Sequence, residues 1–332
     1  MYKKNFFYHL PNELIAQIPS HPRDECKLMV LHKDSKKIEH RIFKEVINYL
    51  KKEDVLVMNN TKVFPLRFSL YRKTGMKLDA VLVKKKEGWK ILAKKVKKLR
   101  DGELLLNEEK KEILKVKRKN HEVFVEFLIP FDEAIKKYGK APLPPYIKRE
   151  PAEKDKENYQ TVYAKKGISA AAPTAGLHFT EKLLKDIEKK GTKIAYITLN
   201  IGEPTFRPIQ KEVIEEYRMG EEKYEIPEDA FQKIKKAKRV IAVGTSVVRA
   251  LEDCYSKYRE ILPVKESARI FIYPGFKFNI VQGLLTNFHQ PESPPLILVA
   301  SFVGKDFLFD AYKEAVRKRY KFLSYGDAML IL

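Results

Sequence analysis

Six short apolar runs of β type, at residues 66–71, 78–83, 89–93, 103–106, 113–116 and 123–128, follow one another with turn-type Gly75, Gly88, Gly102 and Asn120 between most of them. Runs this short and regular predict a small antiparallel β-barrel, and no other stretch narrows the fold as much. The flanks have a different rhythm. Residues 27–33 and 54–58 read as strands on either side of an amphipathic helix at about 42–52, where Ile42, Val46, Ile47 and Leu50 recur at helical spacing. Beyond Tyr159 the alternation returns: a helix 181–190 stopped by Gly191, a strand 193–200, a helix 228–238, a strand 239–243 and a helix 246–258. Strands 269–273 and 281–287 follow, then a helix 294–303 opened by Ser293 and Pro294 as N-cap and N1, and a long helix 305–320. The predicted fold is therefore α/β, a three-layer α/β/α core with an inserted small antiparallel β-barrel. Its divisions are 1–66 and 151–332 for the core and 67–150 for the insertion, with the stiff Pro142-Leu-Pro-Pro-Tyr146 segment as the exit from the barrel.

Composition adds three constraints. At 332 residues and 44% hydrophobic content the chain can bury a sizeable core without staples. The two cysteines, Cys26 and Cys254, are too few for a disulfide framework and lack metal-type spacing, which points to a reducing, cytoplasmic setting and to no metal site. No uninterrupted apolar stretch is long enough for a membrane span or a leader peptide. The charge is lopsided: 66 basic against 44 acidic residues give a net +22 and a pI of about 9.6. Polyanions should be attracted. Residues 84–120 hold fifteen Lys and Arg against six Asp and Glu, and Lys94, Lys95, Lys97 and Lys98 in this stretch are the candidate phosphate contacts. A lysine- and glutamate-rich surface also suits high growth temperature, but temperature does not explain the sign of the excess.

Chemistry concentrates in four places. Residues 169–180, Ser-Ala-Ala-Ala-Pro-Thr-Ala-Gly-Leu-His-Phe-Thr, set Thr174 and His178 in a loop of small residues, with Gly176 permitting close approach. Residues 279–291 deliver Thr286, Asn287 and His289 at a strand end. Residues 320–330 arrange Ser324, Tyr325 and Asp327 around a glycine. In the fourth, 239–252, a strand and Gly244 lead into a helix beginning Thr245-Ser246, with Arg249 and Glu252 one and two turns in. Free amides and the helix dipole at such a start favour a carboxylate or phosphate, whereas a plain N-cap by Thr245 or Ser246 needs no ligand.

These segments, together with Tyr159-Gln-Thr-Val-Tyr163, residues 9–17 and Pro142-Leu-Pro-Pro-Tyr-Ile147, resemble one family from about Phe7 to Leu330. That family is the S-adenosylmethionine:tRNA ribosyltransferase-isomerases of queuosine biosynthesis. The resemblance implies transfer of the ribosyl portion of S-adenosylmethionine to 7-aminomethyl-7-deazaguanine at the tRNA wobble position. Adenine and methionine are released and epoxyqueuosine remains. It also implies tRNA and S-adenosylmethionine as partners, the latter a co-substrate, with no further cofactor and no obligate protein partner; a monomer is expected. On this reading His178, His289 and Asp327 are the candidate catalytic groups. Thr174, Gly176, Gly244, Thr245, Arg249, Glu252, Thr286, Asn287 and Tyr325 are the candidate substrate contacts. The chain departs from the family pattern at Asn200, where members commonly carry histidine, at Pro204 for glycine, at Gly220 for the histidine of a Met-His-x-Glu pattern, and at Val247 for serine. These departures give weight to one rival, a catalytically silent RNA-binding protein, which the +22 charge and the barrel also support; a further rival is a different S-adenosylmethionine enzyme such as an RNA methyltransferase. The latter lacks support from any glycine-rich strand-turn-helix with a downstream acidic ribose ligand.

Overall fold

The structure, a computed structural model, describes residues 1–200, 209 and 211–332. Strands β1 (Lys27–His32), β2 (Lys37–Ile42), β3 (Asp54–Asn59) and β4 (Thr61–Val63) come first. Then follow β5 (Arg67–Arg72), β6 (Lys77–Lys85), β7 (Gly88–Ala93), β8 (Leu104–Leu106), β9 (Glu112–Lys119) and β10 (Glu122–Phe127). These six close into a barrel in the order β10-β7-β6-β5-β8-β9, every neighbouring pair antiparallel. The alternating residues Phe68, Leu70, Leu82, Leu105 and Val116 fill its interior. Helix α1 (Phe131–Tyr138) packs on the barrel through Ala134 and Ile135, and Phe131 stacks on Trp89 at 4.9 Å between ring centres.

Helix α2 (Asp155–Asn158) and β11 (Lys166–Ser169) lead back to the core, β11 pairing with β4 in a two-stranded parallel stem. There follow α3 (Glu181–Lys189), β12 (Lys193–Leu199), β13 (Glu222–Glu225), α4 (Glu228–Lys235), β14 (Arg239–Val243), α5 (Thr245–Tyr258), β15 (Lys265–Ala268), β16 (Gly283–Asn287), α6 (Pro294–Val303), α7 (Lys305–Arg317) and β17 (Ala328–Ile331). Among the described residues a nine-stranded mixed sheet runs β15-β13-β12-β3-β14-β16-β17-β1-β2. Its centre, β12-β3-β14-β16, is parallel, and β17 is antiparallel to β16. Strand alternation divides the core into two faces. Met29, Leu31, Val55, Val57 and Ala242 join the cluster under α4 to α7, whereas Leu28, Val30, Leu56, Met58 and Ile241 face α3 and the Phe43–Tyr49 turn. Three layers result.

Two local expectations are corrected. Phe43–Tyr49 is a 3₁₀ helix instead of an α-helix over 42–52: Phe43 and Val46 are buried three residues apart, the 3₁₀ period, and Ile42 stays exposed in extended backbone. The run 269–273 is not a strand, because the Ile270 carbonyl is taken by the Arg249 side chain and ladder pairing is made by β15 just before it. Strands β2, β13 and β17 and helix α1 were not anticipated. Charged residues dominate β2 and β13, which lie at or near the sheet edges, and β17 is only four residues long. Pro204 lies outside the described residues. Asn200 is exposed at the end of β12, Val247 is buried in α5, and the Gly220 carbonyl accepts from Arg249.

Candidate active site

Strands β14 and β16 are parallel neighbours, and the crevice beyond their carboxyl ends is where an open α/β sheet offers a site. A cavity of about 320 Å³ lies there. Its walls come from residues 171–175, from Gly244, Thr245 and Ser246 at the start of α5, from residues 286–295, from Leu323 and Ser324, and from Pro145, Tyr146 and Tyr159. Five segments separated in sequence thus converge. The barrel strands do not contribute, and the cavity lies within the core and its 145–159 connection.

His289 lines the cavity, half-buried, with Nε2 2.9 Å from the Thr286 hydroxyl. Its backbone is clamped from two sides: the amide donates to Tyr312 Oη at 2.9 Å, and Tyr8 Oη donates to the carbonyl. Burial pushes its pKa down to about 3, so the imidazole is neutral.

His178 lies beneath the wall rather than in it. Asn287 Nδ2 is 3.0 Å from His178 Nε2 and also donates to the Leu323 carbonyl at 3.2 Å, while Thr174 Oγ1 is 2.9 Å from Asn287 Oδ1. A carbonyl can only accept, so the Leu323 contact fixes which end of the Asn287 amide is nitrogen. His178 Nε2 is then the acceptor, and the ring proton sits on Nδ1, facing Cys26 Sγ at 3.2 Å. Burial, aided by the nearby Arg23 charge, pushes the His178 pKa down to about 4. His178 therefore orients Asn287 and Thr174, the members of the chain that reach the cavity.

Several candidate residues are engaged elsewhere. Asp327, a predicted catalytic carboxylate, accepts the Lys27 and Lys321 amides at 2.7 Å each, a turn-capping role, and does not line the cavity. Arg249 is buried, pairs with Glu222 at 2.6 Å and binds the Ile270 carbonyl, which takes its charge away from an anion at the helix start. Glu252 accepts three backbone amides, from Asn279, Ile280 and Val281, each at 3.0 Å. Tyr325 donates to Asp155 at 3.2 Å from a buried position. Gly176 is explained by packing, since a Cβ there would sit 1.9 Å from Tyr163 Oη. Gly244, with φ of 95°, is itself the N-cap of α5, so no side chain caps that helix start. Lys94, Lys95, Lys97 and Lys98 are exposed on the barrel between β7 and β8, outside the cavity.

The cavity also holds residues that were not among the candidate site residues: Tyr146, whose hydroxyl is 2.6 Å from Ser324 Oγ, and Ser246, Gln290, Glu292 and Ser293. Tyr159 Oη is buried at the wall without a hydrogen-bond partner among the described residues. Two non-glycine lining residues have positive φ, Glu292 at 54° and Leu323 at 70°. The signal for the Gln290–Ser293 turn was its place directly after His289; its backbone conformation is not visible in residue types.

A family profile described as queuosine biosynthesis protein matches residues 3–331. An S-adenosylmethionine:tRNA ribosyltransferase-isomerase of Sulfurihydrogenibium sp. (strain YO3AOP1) is 46% identical over 99% of both chains, and that of Thermotoga maritima is 45% identical over 98% of both. The crystal structure of S-adenosylmethionine tRNA ribosyltransferase from Thermotoga maritima superposes with a TM-score of 0.55 at 36% identity, covering 99% of this chain and all of the other. With matches that run nearly end to end, the chain belongs to the S-adenosylmethionine:tRNA ribosyltransferase-isomerases of the queuosine biosynthesis family.

Proposed function

We propose that the chain transfers and isomerises the ribosyl moiety of S-adenosylmethionine onto 7-aminomethyl-7-deazaguanine at the tRNA wobble position, releasing adenine and methionine and leaving epoxyqueuosine. The observation that carries this reading is the convergence of 171–175, 244–246, 286–295 and 323–324 on one cavity of about 320 Å³, within the range of small-molecule sites. The first-turn amides of α5, uncapped by any side chain, suit the methionine carboxylate. His289, neutral and braced on its backbone at the cavity wall, suits the role of proton acceptor. Thr174, Thr286, Asn287 and Ser324 supply hydroxyl and amide groups for the sugar, while the exposed lysines of the barrel and the net +22 suit the phosphate backbone of tRNA. The working form on this reading is a cytoplasmic monomer that needs no cofactor beyond its co-substrate.

The test is incubation of tRNA carrying 7-aminomethyl-7-deazaguanine with S-adenosylmethionine, followed by mass analysis of the anticodon. Ribosyl addition supports the proposal. Methyl addition would make the protein a methyltransferase, and tRNA binding without reaction would make it a silent RNA-binding member of its family.

A further inference from the structure

We propose that Glu292 is the residue that recognises the α-ammonium group of S-adenosylmethionine, an inference that rests on the functional reading above. Although the chain carries a net +22, no lysine or arginine lines the cavity, and Glu292 is its one formally charged residue among the described residues. It takes part in no ion pair among them. The described residues that line the cavity offer hydroxyls, amides and carbonyls but no lysine or arginine. A carboxylate half-buried in such a pocket calls for a positively charged ligand group.

The backbone supports a placed residue. Glu292 holds φ at 54°, a conformation that costs a non-glycine residue free energy and that glycine would adopt freely. Its amide donates to the Phe6 carbonyl at 3.0 Å, and the next residue, Ser293, closes the turn onto the Gln290 carbonyl at 2.7 Å while capping α6. The position is thus held from both sides, with glutamate at a site where glycine would be less strained.

Location selects the group. Pro294 and Pro295, directly after this turn, share the lining of both the main cavity and a small adjoining pocket with Thr245 and Ser246, so the starts of α5 and α6 adjoin. An amino-acid end carries its carboxylate and ammonium on a single carbon. With the carboxylate at the amides of α5, the ammonium falls on the side of the Glu292 turn. The sulfonium lies three bonds further along the chain from that carbon.

Isothermal titration of the full-length protein with three ligands tests this: S-adenosylmethionine, S-adenosylhomocysteine, which lacks the sulfonium charge, and the S-adenosylmethionine analogue lacking only the α-amino group. A charge-assisted contact predicts that Glu292→Gln weakens S-adenosylmethionine by about 10- to 100-fold. S-adenosylhomocysteine should weaken by the same factor, and the des-amino analogue should bind wild type and variant alike. Loss confined to S-adenosylmethionine overturns the assignment in favour of the sulfonium, and unchanged affinity for all three overturns it outright. The wild-type comparison of S-adenosylmethionine with its des-amino analogue needs no variant to fold; equal affinities there would also refute it. Ribosyl addition by the wild type with unchanged binding by Glu292→Gln would sink this inference alone, whereas absence of S-adenosylmethionine binding by the wild type both without and with substrate tRNA present would sink the functional reading with it.

Discussion

Replacing Glu252 by glutamine should destabilise the fold and leave S-adenosylmethionine affinity intact. Glu252 is 1% exposed, and its two oxygens accept the amides of Asn279, Ile280 and Val281, the residues that lead into β16 and so fix where Thr286 and Asn287 emerge. The glutamine carbonyl can keep the Ile280 and Val281 contacts, now without the charge, at a loss of about 1 kcal/mol each. Its amide group then faces the Asn279 N–H, donor against donor, and the orphaned donor costs about 1–3 kcal/mol more. The sum is about 3–5 kcal/mol. At about 2.1 cal/mol/K per residue, 332 residues unfolding as one unit give about 0.7 kcal/mol/K, and the midpoint should fall by about 4–7 °C. Scanning calorimetry of both proteins, with titration of S-adenosylmethionine well below the transition, measures both quantities. An unchanged midpoint accompanied by lost affinity would refute the clamp and return Glu252 to the substrate.

Three further outcomes are expected. His178 has its pKa depressed from 6.5 to about 4, so the folded protein disfavours its protonation: the stabilisation, about 3 kcal/mol, is complete above pH 6.5 and drains away as pH falls towards 4. His178→Gln should flatten the stability curve in that window by up to about 1.4 kcal/mol per pH unit, and denaturant titrations with identical slopes in both proteins would contradict the buried neutral imidazole. His289→Ala should cripple turnover while tRNA affinity, set chiefly by phosphate contacts, stays near wild type; parallel loss of both in a folded variant would show that His289 holds the RNA. Neutralising Lys94, Lys95, Lys97 and Lys98 together should weaken tRNA binding and reduce its salt slope by up to about 0.7–0.9 log unit per phosphate contact removed, without altering S-adenosylmethionine affinity; filter binding across salt concentrations reads the slope, and an unaltered one removes this loop from the RNA interface.

What could be read from residues alone follows how local each interaction is. The barrel was legible because its hairpins are written in adjacent runs with turn residues such as Gly75, Gly88 and Asn120 between them, as were α3, α5 and α6, whose ends carry Thr180, Gly244 and Ser293. Strand β17 was not, because Ala-Met-Leu-Ile is equally good as any buried segment, and only its partners β1 and β16, far away in sequence, make it a strand. In the site, positions were legible and roles were not. The motif residues Thr174, Thr286 and His289 do meet at the cavity. Arg249, Glu252 and Asp327 look the same in sequence whether their charges meet a ligand or a neighbouring amide, and the structure gives them the neighbour. Glu292 is the opposite case: what marks it is a backbone angle and a lack of lysine or arginine among the described residues of the cavity, and neither is a property of residue types.

The place of β17 between β16 and β1 also sets an order of assembly. Leu28 pairs with Ala328, a contact 300 positions apart along the chain, whereas Lys119 pairs with Glu122 across a single tight turn. Closing the longer loop costs more chain entropy and waits on every residue between, so the barrel can form from neighbouring hairpins while the great sheet stays open. Asn287 pairs with Ala328 in that closing step, so the wall that carries it is completed only when the sheet shuts. A protein caught midway would therefore present a finished barrel and an unfinished cavity; on the proposed reading, it could occupy tRNA before it could modify it.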